Sequence, residues 1–402
     1  MSARSGRALV LCPLVPYPPT SGGQKRTLRL LEAAERAGAV PHLLCNLERT
    51  GQRGAEALRE RGWRVELLTD RPPSIGGRVR QLAARRPGPY SESVAQRLRD
   101  LRSDPPSFVQ AEHFVSAYYE REHPVKRWVL SSHNIDSAMV ASVARSHRRL
   151  SPGWALAWNH ALATRTVERR VSPRADAVIC TCEGDAEYFE ALGARVVLAP
   201  NGVDEEYLAI PEQLPASEVV LFVGRLDYAP NSIGLERFLR DGWPRLAAAR
   251  PQATLRVVGG GIDPLLAEEV ARTPGAEVAG EVPDMGVELA AARVVVVPIW
   301  HGGGTRLKVL EALAAARPVV GTPLGVSEVG FVDGRHGLVA DEPAGLADAA
   351  ASLLGDAARS TELALAGREL GRGFVWPRAL AGAEDLYARW VEEAAAEPSS
   401  RP

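Results

Sequence analysis

Short apolar runs alternate with longer amphipathic stretches along this chain, and the alternation begins twice. Ala8-Leu9-Val10-Leu11-Cys12 reads as a strand, and residues 22–37 follow as a helix with Leu28, Leu30, Leu31 and Ala34 at helical spacing. Further strands are expected at 40–45, 63–68, 108–111, 127–131, 175–180 and 196–199, with helices at 51–61, 135–149, 154–171 and 185–192. A second series opens with the strand 219–224 and continues with strands at 255–259, 294–297 and 318–320. Its helices are expected at 233–239, 264–271, 305–315, 343–354 and 361–370. Strands that alternate with helices form a parallel sheet covered on both faces, so the expected class is α/β with two doubly wound domains. A chain of 402 residues also exceeds the roughly 250–300 residues at which single cores stop growing. The join falls in 200–217, a polar stretch with Pro200, Pro211 and Pro215 that reads as a hinge. That places one domain at 1–200 and the other at 201–375, with a last helix over 376–393. No fixed-period repeat is present, which excludes a solenoid.

Charge and composition remove several classes of function. Lys+Arg (48) balances Asp+Glu (49), so the basic excess of a general nucleic-acid or acidic-membrane binder is missing. An aromatic content of 6% provides no stacking stripe for single strands. With 46% hydrophobic and 24% charged residues, wholesale disorder is excluded. No apolar run approaches the ~18 residues of a membrane span, and residues 1–7 lead into a strand rather than a signal-peptide core. Cys12, Cys45, Cys180 and Cys182 make no disulfide framework, and Cys180-Thr181-Cys182 has neither zinc nor redox spacing. A reduced, cytoplasmic location is expected. The basic run Arg78, Arg80, Arg85 and Arg86 reads as a solvated face, with peripheral contact to an anionic inner membrane face as the alternative. No His/Cys/Asp/Glu cluster has metal-ligand spacing, so neither a metal nor another cofactor is expected.

In doubly wound sheets ligands bind beyond the carboxyl ends of the strands, so chemistry is sought in the loops that follow them. Four stretches stand out. Ser21-Gly22-Gly23-Gln24 opens the first helix, where two glycines let a ligand approach the backbone and the helix N-terminus favours an anion. The spacing is not the dinucleotide fingerprint. His133, in Ser131-Ser132-His133-Asn134, ends a strand and can donate to a sugar hydroxyl or orient a substrate; capping of the next helix is the plain alternative. Arg225 follows a buried strand, and its fork suits the two charges of a diphosphate, with an ion pair to Asp227 as the alternative. The most specific stretch is Pro298 to Leu313. There Gly302, Gly303 and Gly304 follow the most apolar strand and lead through Thr305, Arg306 and Leu307 into a helix carrying Lys308 and Glu311. Amides and the helix dipole form an anion site at such a place, and a carboxylate one to two turns in can accept both hydroxyls of a ribose. No Gly-Lys-Ser/Thr ends the stretch, so it is not a P-loop. Glu328-Val329-Gly330 is a weaker loop candidate, and Gly259-Gly260-Gly261 reads as a strand-exit turn.

With Ala175-Asp176-Ala177-Val178-Ile179, Pro200-Asn201-Gly202-Val203-Asp204, Gly224-Arg225-Leu226 and Gly280-Glu281-Val282-Pro283-Asp284, these stretches keep one order and spacing. Together they resemble the retaining glycosyltransferases of family 4, with the GT-B fold, over almost the whole chain. The sugar transferases of bacterial polysaccharide clusters look most similar. The resemblance implies two Rossmann-like domains facing each other across a cleft, the first binding the acceptor and the second the nucleotide-sugar donor. It implies that Gly22 and Gly23 approach the donor diphosphate, His133 meets the transferred sugar and Arg225 binds the diphosphate. It further implies that the backbone around Val282 reads the base, that Gly302, Gly303, Gly304, Thr305, Arg306 and Leu307 present amides to phosphate, and that Glu311 binds the ribose. His133 and Arg225 are the catalytic candidates.

The pattern departs from the family at two places. Gly303 stands where the first of two glutamates is common, the second being Glu311. Asn231 stands where a lysine is frequent, so Lys308 or Arg306 is expected to supply that charge. The implied reaction is metal-independent transfer of a sugar to an acceptor hydroxyl with retention, the leaving phosphate deprotonating the acceptor. The implied partners are a nucleotide sugar and a small-molecule, lipid-linked or saccharide acceptor, with no nucleic acid. Two other readings stand beside it: a nucleotide-sugar epimerase of the same fold, and a non-catalytic nucleotide-binding partner of an active transferase.

Overall fold

The computed structural model describes residues 6–46, 51–68, 91–125, 127–146, 151–302 and 305–397. The chain divides into two compact units, 1–200 with 380–402, and 201–379. Arg78, Arg80, Arg85, Arg86, Gly303 and Gly304 lie outside the described residues, as do the ends of the expected helix 135–149 and of the chain.

Among the described residues the first unit has a parallel sheet of seven strands. They are β1 (Gly6–Cys12), β2 (Ala39–Asn46), β3 (Arg64–Leu68), β4 (Phe108–Glu112), β5 (Trp128–Ser131), β6 (Ala177–Cys180) and β7 (Val196–Leu198), in the order β3-β2-β1-β4-β5-β6-β7. Both faces are packed, which is why the strands are apolar runs rather than alternating ones. Leu9 and Leu11 of β1 join one core with Val109, Ala111, Leu130 and Phe114, whereas Val10 and Cys12 join the other with Leu28, Leu31, Leu43 and Leu58. Helix Gly22–Arg36 follows β1, and helix Ala381–Ala396 packs on it and on β1, β2 and β7. Phe108 stacks on Tyr387 of that last helix, ring centroids 5.0 Å apart.

The second unit has six parallel strands among its described residues: β8 (Val219–Val223), β9 (Thr254–Val258), β10 (Ala276–Gly280), β11 (Val294–Val297), β12 (Val319–Gly321) and β13 (Gly337–Val339). Their order is β10-β9-β8-β11-β12-β13. Here too alternate residues serve opposite cores: Val220, Phe222, Val294 and Val296 on one side, Leu221, Val295 and Val297 on the other. Gly234 of helix Ala229–Asp241 lies so close to the chain leaving β11 that a Cβ there would stand 2.0 Å from the Pro298 carbonyl oxygen. Only glycine allows that approach.

Several expectations need correction. Strands β10 and β13 and the helices Glu92–Asp100, Trp243–Ala249 and Met285–Ala291 were not among those read from the sequence. The last helix, expected over 376–393, is two helices, Trp376–Ala379 and Ala381–Ala396. The break at Leu380 hands the first to the second unit and the other to the first unit. The expected helix 305–315 begins at Leu307, after Thr305 and with Arg306 as its cap. Part of the expected join at 200–217 is bonded to the second unit. Carbonyls of Ile210, Pro211 and Pro215 accept from Arg368, Arg317 and Arg293, buried arginines of the second unit, and so tie it down.

Candidate active site

In the second unit the strand order reverses between β8 and β11, and their exits carry the cationic residues. Arg225 follows β8 directly. Its guanidinium forks onto Asp227, with Nε 3.0 Å from Oδ1, and remains about one-third exposed. The ion pair with Asp227 is therefore formed. Asn231, near the start of helix Ala229–Asp241, bridges two site elements. Its Nδ2 donates to the Arg225 carbonyl at 2.7 Å and its Oδ1 accepts from Lys308 Nζ at 2.8 Å. The Lys308 ammonium also lies 5.2 Å from the Phe222 ring centroid, and a Cβ at Gly224 would stand 2.7 Å from it. Lys308 thus brings its charge to Asn231, where the missing lysine was noted. Burial pushes that ammonium down to about 7; Arg306 adds to the shift and Glu311, one turn on, opposes it.

The chain leaving β11 reaches Gly302, whose φ of 111° is open to glycine and strained for other residues. Gly302 faces Tyr228 and Arg306: a Cβ there would stand 3.4 Å from the Tyr228 hydroxyl and 3.5 Å from Arg306 Nη2. Asn201 Nδ2 donates to the Thr305 hydroxyl at 2.7 Å, fixing the residue just before the helix. Thr322 pins the exit of β12 to that of β11 by donating to the Ile299 carbonyl and accepting from Gly325 N at 2.9 Å. Glu311 is half-buried on the helix Leu307–Ala314. Val282 sits on the exit of β10, two strands from β8, and packs partly against the core.

In the first unit the order reverses between β1 and β4. After β1 the chain returns at Ser21, which caps its helix by accepting from Gln24 N at 3.3 Å. The Gln24 side chain answers by accepting from Thr20 N at 3.2 Å and donating to the Val15 carbonyl at 2.9 Å. Helix geometry leaves the amides of Gly22 and Gly23 without an intrahelical acceptor. His133, just beyond β5, is brought against this turn: a Cβ at Gly23 would stand 3.5 Å from His133 Nδ1. His133 is not a helix cap. Its Nε2 lies 2.8 Å from Glu112 Oε2.

Known proteins show the same plan. The family described as "Glycosyl transferase 4-like domain" matches residues 21–202, and the one described as "Glycosyl transferases group 1" matches 217–356. The chain belongs to the family 4-like glycosyltransferases of the GT-B fold. This glycosyltransferase is 27% identical over 346 residues to a phosphatidyl-myo-inositol mannosyltransferase of Mycobacterium leprae, spanning 80% of this chain and 87% of that one. Its fold is similar to sucrose-phosphate synthase from Thermosynechococcus elongatus, with a TM-score of 0.72, 19% identity, and coverage of 96% and 100%. It is also similar to the HepE protein of Anabaena, solved with UDP and glucose, with a TM-score of 0.68, 16% identity, and coverage of 96% and 100%.

Within this glycosyltransferase the structure gathers Arg225, Asn231, Gly302, Arg306 and Lys308 in one unit and Gly23 and His133 in the other. Sequence reasoning missed three members. Asn201, which fixes Thr305, was quoted only as part of a motif. Glu112 and His113 carried no signal at all, because one carboxylate at the end of an apolar strand looks like an ordinary strand terminus. Among the described residues no group of three or more His, Cys, Asp or Glu could hold a metal ion, and no helix is long and apolar enough to cross a membrane.

Proposed function

We propose that this glycosyltransferase moves a sugar from a nucleotide-diphosphate donor to an acceptor hydroxyl with retention of configuration and without a divalent cation. The observation that carries the reading is the joint placement of Lys308, Asn231 and Arg225 at the β8/β11 switch point. A departing diphosphate needs neutralising charge, and two guanidinium groups with an ammonium supply it electrostatically. Arg225 would exchange Asp227 for phosphate, and the amides entering helix Leu307–Ala314 would add donors without charge of their own. Lys308 takes the place of the lysine absent at 231. Glu311 binds the ribose, and the backbone at Val282 reads the base. The second unit thus binds the donor, and the first supplies Gly22, Gly23, His133 and the acceptor site. In this reading the leaving phosphate deprotonates the acceptor hydroxyl. Because the Anabaena neighbour was solved with UDP, a UDP-sugar is the first donor to test.

Calorimetry with UDP, GDP, TDP and ADP, with and without EDTA, tests the donor site. Binding of one diphosphate that EDTA leaves unchanged supports the reading; no binding by folded protein overturns it. The anomeric configuration of the product, read by NMR, decides retention. Binding without turnover of any donor sugar favours the non-catalytic partner.

A further inference from the structure

Glu112 ends β4 beside β1, and His113 follows it, at the point where the first sheet reverses its order. The Glu112 side chain has no exposure, yet it is surrounded by donors. Its Oε2 accepts from His133 Nε2 at 2.8 Å and from the Thr27 hydroxyl at 2.9 Å, and its Oε1 accepts from Gln110 Nε2. The other end of Gln110, Oε1, accepts from the Tyr387 hydroxyl of helix Ala381–Ala396, and turning the amide over would set that oxygen against the Glu112 carboxylate. Burial alone would raise the Glu112 carboxyl; the hydrogen bonds it accepts from His133 and Gln110 outweigh it and hold the group at about 2. The buried guanidinium of Arg26 adds positive charge nearby.

His113 points the same way. It adopts φ 60°, a left-handed conformation that is strained for a non-glycine residue and persists only where its surroundings impose it. That turn lays its ring over His133, with centroids 3.9 Å apart. Burial pushes the His113 imidazole down to about 3, so it stays neutral. Backbone strain, a buried ion and a locked amide therefore converge on one imidazole.

A carboxylate only accepts hydrogen bonds, so neutral His133 must carry its proton on Nε2. Its lone pair then lies on Nδ1, the atom beside Gly23. We propose that Glu112 is a positioning residue for sugar transfer: it fixes His133 in the Nε2–H form, so that Nδ1 accepts a hydrogen bond from a hydroxyl of the transferred sugar. The proposal rests on the reading of His133 as a contact to that sugar. It revises the sequence expectation of a donating histidine. The titratable groups facing His133 and its partner include Glu112, His113, Arg26, Tyr387 and Cys12.

Glu112→Gln keeps the shape but can donate as well as accept, which releases the tautomer. Carboxylates that orient metal-binding histidines matter by about 10–100-fold, and a loss of the same order is expected here. We expect kcat of E112Q to fall by about that factor while the donor KM changes by less than about twofold. Nitrogen-15 NMR of histidine-labelled full-length protein at pH 8 should show His133 as Nε2–H in the wild type and as a mixture, or as Nδ1–H, in E112Q. Glu112→Asp, which retains the carboxylate, should recover part of kcat. An Nδ1–H form in the wild type overturns the proposal even if E112Q does not fold. So does E112Q with unchanged kcat and unchanged nitrogen shifts. If His133→Ala abolishes transfer while E112Q is fully active, only the positioning role fails. If His133→Ala transfers normally, the sugar-contact reading itself fails.

Discussion

The exits of β8 and β11 in one unit, and of β1 and β4 in the other, are the same topological place built with opposite chemistry. In the second unit an uncharged amide, Asn231, joins the Arg225 carbonyl to the Lys308 ammonium, on which the positive charge of Arg306 also acts. In the first unit a buried carboxylate, Glu112, has its oxygens engaged by His133, Thr27 and Gln110. Burial and neighbouring positive charge work against the Lys308 ammonium, whereas donors on every side support the Glu112 charge. The difference teaches that strand order selects where chemistry sits, and that the residues on the exit loops select what it does. One site is arranged to gain from an incoming anion, and the other holds a side chain in one orientation before anything arrives.

The hardest blow to this contrast is removal of the exposed cation. Arg225→Ala should lower kcat for sugar transfer by about 100–1,000-fold, as expected for loss of one charged group at a developing anion. Transfer of radiolabelled sugar to acceptor measures it, and an effect below about threefold would place the departing diphosphate elsewhere.

Lys308→Met should weaken diphosphate binding by about 10–100-fold, in line with about 1.5–3 kcal/mol for a hydrogen bond to a charged group. If 231 and 308 are alternative sources of one charge, the double variant Asn231→Lys with Lys308→Met should regain most of the loss in calorimetry. The same lysine sets a pH dependence. Its free-protein value of about 7 is well below the ordinary 10.5. A bound anion favours the ammonium and raises that value, so between the two values binding takes up a proton. Affinity should then fall as pH rises above about 7, by at most about tenfold per unit. Calorimetry in buffers of different ionisation enthalpy reads the proton uptake, which should vanish in K308M.

The first unit's site is tested by steric means. A Cβ at Gly23 makes ordinary contact at 3.5 Å with His133 Nδ1, so Gly23→Ala should fold normally while covering that atom. A drop of about tenfold in kcat/KM with an unchanged melting temperature is expected; unchanged transfer would mean that Nδ1 meets no substrate. The smallest effect is on stability alone. Asn201→Ala removes the bond to Thr305, and about 1 kcal/mol should appear as a melting temperature lower by about 2–4 °C.

Much of this was legible because buried parallel strands announce themselves. Val294–Val297 matches the expected strand to the residue, and β8 and β1 differ only at their ends. β10 and β13 were missed because Ala276–Gly280 and Gly337–Val339 are short edge strands with glycine and few β-branched residues. The positions of Arg225, Asn231 and Lys308 could be read from the sequence, but not the 2.8 Å contact between Asn231 and Lys308. They lie 77 residues apart and meet because β8 and β11 are neighbours. Glu112 and His133 were separated in the same way. The pairing of Glu112 with Ser131 brings β4 and β5 side by side and the two side chains within reach. The left-handed turn at His113 had no signal, since nothing in its residue type demands φ 60°. The loop Glu328-Val329-Gly330 does contain a left-handed residue, Glu328 at φ 67°, beside buried Val329.

The helix Ala381–Ala396 carries a consequence for synthesis on the ribosome. Residues 201–379 leave the ribosome before Tyr387 and Trp390 do, so the second unit can close while the first still lacks its final helix. Until then Phe108 has neither aromatic neighbour, and the amide oxygen of Gln110 lacks the hydroxyl it accepts from. The half of the chain made first is the last to be finished.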